Sequence, residues 1–350
     1  MQKKLFLVLS IVMILAMLAG CAPAATTPPA SEKPAAGEQQ PAAAGNCADS
    51  PTPPPLAKKD KYKVGFSQVE TNGSWRIAQT ESMKAEATRL GYELVYTDAG
   101  GSEAKQIADV DSMIAQKVDM IFLAPRSEKA LAEAVLKAKA ACIPVILLDR
   151  DVDHSIAAPG KDYVTMIGSD FVEEGRRAAE WLVKATNEEA VIIELEGTVG
   201  SSPAIDRKKG FDDEIAKHPN MKIVASQTGD FARDKGRQVA ETLLQAHPDV
   251  TAIYAHNDEM AIGAIAALES AGKVPGKDVT VVSIDGIKDA AQAIVDGKLG
   301  ATVECSPKFG PKAFEVMQGY ANGEKFAEKI INPDRFFDAT NAAEYLPEAY

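Results

Sequence analysis

From Tyr62 onward, short unbroken apolar runs alternate with longer segments whose apolar residues recur at helical spacing. Tyr62–Ser67, Met120–Ala124, Pro144–Leu148, Val191–Leu195, Ala252–Ala255 and Val279–Ile284 are too short for helices. Their continuity predicts strands buried on both faces. The segments between them predict helices over Trp75–Leu90, Gln106–Ala115 and Glu128–Ala138, with further strands at Glu93–Tyr96 and Tyr163–Ile167. The pattern then restarts. Val172–Lys184, Ala204–Ala216, Ala232–Gln245, Glu259–Ser270 and Ala290–Val295 are helical, and Lys222–Ser226 is one more strand. Strand–helix alternation argues for parallel sheets with helices on both faces. Two successive units of this kind predict an α/β protein of two similar Rossmann-like lobes with a cleft between them. No residue-level repeat accompanies the duplication.

Polar residues follow several of these strands directly. Asp149 and Arg150 follow Pro144–Leu148, Asp285 follows Val279–Ile284, and Asn257 follows Ala252–Ala255 by one residue. Arg207 and Phe231 come after the first two strands of the second unit; Asn72, Trp75 and Arg76 come after the first strand of the first. Ligands of open parallel sheets sit outside the carboxyl ends of the strands, so these residues are expected to share one site. Carboxylates, an amide and guanidinium groups suit the hydroxyls of a sugar, and aromatics cover its C–H face. Each residue also has a plain structural alternative. Asn257 and Asp285 can cap the helices they precede, Asp149-Arg150 can be a surface turn, Trp75 a core anchor and Arg207 a solvated charge. Their recurrence at one topological position favours a site.

The first sixty residues differ from the rest. Lys3 and Lys4 precede the uncharged run Leu5–Ala19, which has the length of a signal-peptide core and is short for a membrane span. Leu18-Ala19-Gly20-Cys21 resembles a bacterial lipobox, which implies a signal peptide over 1–20 and lipidation of Cys21. Residues 21–60 are rich in Pro and Ala and poor in large apolar side chains, the composition of a disordered tether. The fold is expected to begin near Lys61. The formal net charge of −12 argues against nucleic acid or anionic lipid as a partner. Of the later cysteines, Cys47 falls in the tether and Cys142 is expected in the core; no paired framework stands out, though one bridge stays open. The four histidines show no metal-ligand spacing, and HExxH, GxSxG and CxxC are absent, so no metal or cofactor is expected.

The strings Val64–Gln68, Leu148–Arg150, Gly197–Gly200, Ala204–Phe211, Gly229–Phe231, Ala255–Met260 and Ser283–Gly286 resemble the periplasmic sugar-binding proteins of ABC importers. The likeness is to the ribose/galactose-type cluster of type I binding proteins, and within it to the galactofuranose binders. That resemblance implies a hydroxyl-binding set of Asp149, Arg150, Arg207, Asn257 and Asp285, with Asn72 and Arg76 in the first loop, and stacking by Phe231 and Trp75. Ribose binders carry two adjacent aromatics where this chain has Trp75-Arg76, and a glutamine where it has Cys305. The resemblance also implies three crossovers, near Ser169, Cys305 and Asn332. One lobe would comprise 61–168 plus 305–331 and the other 169–304 plus 332–350. Such a protein is expected to be a monomer that closes around a monosaccharide and docks on ABC permease subunits. It would be held to the membrane by its lipid.

Other classes fit less well. Asp149 and Asp285 are conceivable as a glycosidase pair, but their neighbours Arg150 and Asn257 suit static hydrogen bonding, and no enzyme is expected. A sugar-sensing transcription factor would need DNA-binding helices where this chain has its leader. A receptor for a chemoreceptor or sensor kinase, or an importer receptor for ribose or another pentose or hexose, remains an alternative.

Overall fold

Strands in the computed structural model form where apolar runs let both faces of a sheet be covered. The structure describes residues 46–350. The leader 1–20, Cys21 and the tether up to residue 45 lie outside them. The first unit runs β1 (Lys63–Gln68), α1 (Ser74–Leu90), β2 (Glu93–Asp98), α2 (Glu103–Ala115), β3 (Met120–Leu123), α3 (Glu128–Ala140), β4 (Val145–Leu148) and β5 (Met166–Gly168). The second runs α4 (Phe171–Ala185), β6 (Ala190–Glu196), α5 (Ser202–Ile215), β7 (Met221–Thr228), α6 (Arg233–Ala246), β8 (Ala252–Ala255), α7 (Asp258–Ser270), β9 (Thr280–Asp285), α8 (Lys288–Val295) and β10 (Ala301–Glu304). Then come α9 (Gly310–Ala321), β11 (Lys329–Ile331), β12 (Phe336–Asp338) and α10 (Ala342–Tyr345).

The strands make two six-stranded sheets, in the orders β11-β5-β4-β3-β1-β2 and β12-β10-β9-β8-β6-β7. The orders match strand for strand, and only β12 pairs antiparallel, against β10. The chain changes sheet three times: after β5, after β10 and after β11. The order of each sheet reverses beside its first strand, β1 or β6, where a doubly wound sheet opens a crevice.

β3, β4 and β8 are buried at every position, as their uninterrupted apolar runs require. Glycines bring α4 and α5 into backbone contact: a Cβ on Gly175 would lie 2.1 Å from the Arg207 carbonyl oxygen, and one on Gly210 1.9 Å from that of Val172. Such close approach sets the height of Arg207 against the sheet.

Two expectations need correction. Cys47 and Cys142 form a disulfide, so Cys47 is not part of a free tether. Cys142 is half-buried at the end of α3 and is not a core residue. Residues 46–60, placed outside the fold by composition, pack on the first lobe. Pro53, Pro54 and Leu56 are buried, the Tyr320 hydroxyl donates to the Pro53 and Pro54 carbonyls, and buried Lys139 donates to the Ser50 carbonyl. By composition this stretch is poor in apolar area. Proline rings and one leucine nonetheless suffice once a covalent bridge has removed much of the ordering entropy.

Candidate functional site

All nine residues singled out from the sequence line one cavity between the lobes: Asn72, Trp75, Arg76, Asp149, Arg150, Arg207, Phe231, Asn257 and Asp285. The space between the lining atoms, with the open solvent at its mouth included, is about 440 Å³. Glu70, Gly73, Pro203, Glu259 and Cys305 complete the lining.

The first lobe supplies a chain of charges. Arg76, in the first turn of α1, donates from Nη2 to Asp149 Oδ2 at 2.7 Å and from Nη1 to Gln79 Oε1 at 2.9 Å. Its guanidinium also lies 4.6 Å from the centre of the Trp75 ring. Trp75 belongs to the core cluster, as a core anchor would, and also lines the cavity. Its Nε1 donates to the Cys305 carbonyl at 2.6 Å, reaching the second crossover. Asp149 and Arg150 are no surface turn: both are buried, Arg150 to 1% exposure. Burial and the neighbouring Arg76 lower the Arg150 pKa to about 9, and its Nε has no hydrogen-bond partner. Asn72 lies at the exposed rim, its amide donating to Glu70 Oε2 at 3.1 Å.

The second lobe is built around Arg207, which is buried and not solvated. Its Nε donates to Glu174 Oε2 at 2.7 Å, its Nη1 to the His256 carbonyl at 2.6 Å, and its Nη2 to Asp285 Oδ1 at 3.3 Å. Burial works against this cation, but Glu174 and Asp285 hold its pKa well above the ordinary value. Burial in turn raises the pKa of both carboxyls against the pull of Arg207. Arg150 and Arg207 both face the Phe231 ring, at 5.5 and 5.8 Å from its centre. Gly197 clears room for that ring, since a Cβ there would stand 2.0 Å from it. Asn257 does cap α7, accepting from the Met260 amide at 3.0 Å, while its Nδ2 donates to the Phe231 carbonyl at 3.1 Å. Asp285 caps nothing, because α8 starts three residues later at Lys288.

Hydrogen bonds join the lobes at the rim. The Glu128 amide donates to the Gly200 carbonyl at 3.0 Å, the Asp151 amide to Ser202 Oγ at 2.8 Å, and the Ser74 amide to Glu259 Oε1 at 3.0 Å. The lobes are therefore closed on each other. Glu70 and Glu259 stand next to sequence-marked residues in the loop after β1 and the first turn of α7. Their topological position was the available signal. Pro203 carried none. Among the described residues no His, Cys, Asp and Glu cluster could hold a metal ion.

The profile of the periplasmic binding protein domain matches residues 64–325. The chain is 41% identical over 289 residues to the galactofuranose-binding protein YtfQ of Escherichia coli K12, covering 81% of this chain and 88% of that one. Its fold is similar to the periplasmic binding component of the arabinose ABC transporter from Shewanella sp. ANA-3, solved with α- and β-L-arabinofuranose. There the TM-score is 0.77 at 43% identity, over 82% of this chain and 95% of that one. A Mycobacterium smegmatis protein in complex with β-D-fucofuranose gives a TM-score of 0.78 at 44% identity, with 82% and 94% covered.

Proposed function

The chain belongs to the periplasmic binding protein family, and from that premise we propose that it is the extracytoplasmic sugar receptor of an ABC importer, gripping one furanose-form monosaccharide between its lobes. Members of this family are binding proteins, and the chain is not an enzyme. The support for a sugar is the cavity itself. Three guanidinium groups, four carboxylates, two amides and two aromatics line it, drawn from both lobes. Buried donors and acceptors of this density suit a ligand that offers a hydroxyl on nearly every carbon. Arg150 Nε, buried, without a hydrogen-bond partner and 3.8 Å from the Asp149 carboxylate, is a donor that a sugar oxygen would satisfy. Support for the five-membered ring, of the galactofuranose, arabinofuranose or fucofuranose kind, comes from the furanoses named with the similar proteins.

Contacts made by both lobes are complete only when these are closed, so the ligand shifts the population toward that state. Hinge closure around a ligand is the known behaviour of periplasmic binding proteins as a class. The closed receptor then docks on the permease and releases sugar as it reopens. Cys21 holds it to the membrane through lipid, and the chain up to residue 45 is the tether. Labelling with a fatty-acid analogue is expected to mark the protein and to miss Cys21→Ser.

Calorimetric titration of the mature protein, stripped of any retained ligand, tests the receptor. D-galactose, L-arabinose or D-fucose should bind one to one, with apparent affinity scaling with the furanose fraction in solution. Tight binding of D-ribose with all three silent would overturn the assigned sugars. A folded protein that binds no sugar would overturn the receptor.

A further inference from the structure

α1 starts without a cap of its own. Its N-cap is Gly73, and its first turn has no acidic residue. The first amides of a helix need acceptors, and negative charge is favoured at that end. Here the acceptor arrives from the other lobe. Glu259, in the first turn of α7, accepts on Oε1 from both the Ser74 amide and the Ser74 hydroxyl, each at 3.0 Å. Its Oε2 accepts from Arg233 Nε at 2.6 Å, and Arg233 Nη2 is tied to Asp289 at 2.7 Å. Arg233 and Asp289 belong to the same lobe as Glu259. The carboxylate is thus held ready within the second lobe and meets Ser74 only when the lobes come together.

We propose that Glu259 is the latch of the closed state, a positioning residue that caps α1 across the cleft and sets how long the ligand stays. Its two oxygens already accept from Ser74 and Arg233, so at the edge of the cavity that it lines, it ties lobe to lobe. The latch is reversible because water satisfies Ser74 and Glu259 once the lobes part. Its place beside Trp75 and Arg76 means that closing also fixes the turn that carries those two residues. The proposal rests on the receptor function given above, and one arm of its test needs no ligand.

The test pairs Glu259→Ala with Ser74→Pro, which deletes both latch donors at the first helical position, where proline is tolerated. Dissociation of D-galactose and L-arabinose is followed by stopped-flow fluorescence. Each single variant should release sugar about tenfold to a hundredfold faster, and the double variant no faster than either single one. Effects that multiply in the double variant, or unchanged release in both single variants, would overturn the latch. Glu259→Gln keeps an acceptor without the charge and should fall between wild type and Glu259→Ala. It serves if the alanine variant does not fold. In the ligand-free arm, distances between spin labels at Glu81→Cys and Lys277→Cys report the closed fraction. That fraction should drop in both latch variants. A wild type that never closes, or variants that close equally, would overturn the latch even if no sugar binds. Failure of wild type to bind any sugar would count against the receptor alone.

Discussion

Three residues lining the cavity hold backbone conformations that L-residues avoid: φ is 66° at Asp149, 58° at Phe231 and 132° at Asp285. Each such residue costs about 1–3 kcal/mol and persists only where its surroundings over-determine it. At Asp285 those surroundings are visible. Asp258 Oδ2 accepts from the amides of Gly286 and Ile287 at 2.7 and 2.8 Å. The Tyr350 hydroxyl donates to the Asp285 carbonyl at 2.8 Å, and that of Tyr345 to the Gly286 carbonyl at 2.6 Å. Tyr350→Phe should weaken sugar binding by up to about tenfold, the worth of one net hydrogen bond. In an Asp285→Asn background the loss should shrink, because the tyrosine acts through Asp285. An undiminished effect there would contradict this. Asp149→Ala should cost about tenfold to a hundredfold in calorimetric affinity; unchanged affinity would remove Asp149 from the site. The identity of these residues was legible from their position after strands. Their φ angles were not, since nothing local in the sequence marks an aspartate forced into left-handed backbone by contacts with distant segments.

At the scale of elements, the long buried strands and amphipathic helices followed from periodicity, and their ends shifted by at most three residues, as at the starts of α2 and β5. The last quarter was harder. β11 and β12 have three residues each, too short for a pattern. β10 is a four-residue strand whose Thr302 and Glu304 break the apolar run that marks β3, β4 and β8. The N-terminal segment was illegible for a different reason, because a bridge between Cys47 and Cys142, 95 residues apart, leaves no mark in composition. Closing so long a loop is worth about 4.7 kcal/mol in the chain-entropy account, of which disulfides typically deliver about 2–4 kcal/mol. Cys47→Ser should therefore unfold at lower urea. Its sugar affinity should be intact, since Cys142 precedes β4 and the cavity lies beyond the other end of that strand. Loss of binding in a folded variant would contradict this separation.

For the whole molecule, closure and pH meet at the crossovers. Asp334 lies on the third, between β11 and β12. Burial and then Glu174 push its pKa up to about 7, against the Ser169 hydroxyl and the Ser306 amide from the other two crossovers. An unfolded aspartate titrates near 3.9, so between about pH 4 and 7 the folded state holds the extra proton. Stability from this group is present at the acid end of that window and is lost as pH rises through it. Buried Asp258, raised to about 6, adds in the same sense. Urea unfolding should show Asp334→Asn with a weaker rise in stability than wild type between about pH 8 and 5; an identical rise would remove Asp334 from this role. The proposed function stands or falls on whether the closed cleft selects a five-membered sugar ring. Carbon-13 spectra of the protein saturated with D-galactose, and separately with L-arabinose, each labelled at C1, read the bound ring form directly. A bound signal at the furanose position is predicted for at least one of them, although pyranose dominates in free solution. A bound pyranose signal from every sugar that binds would contradict it.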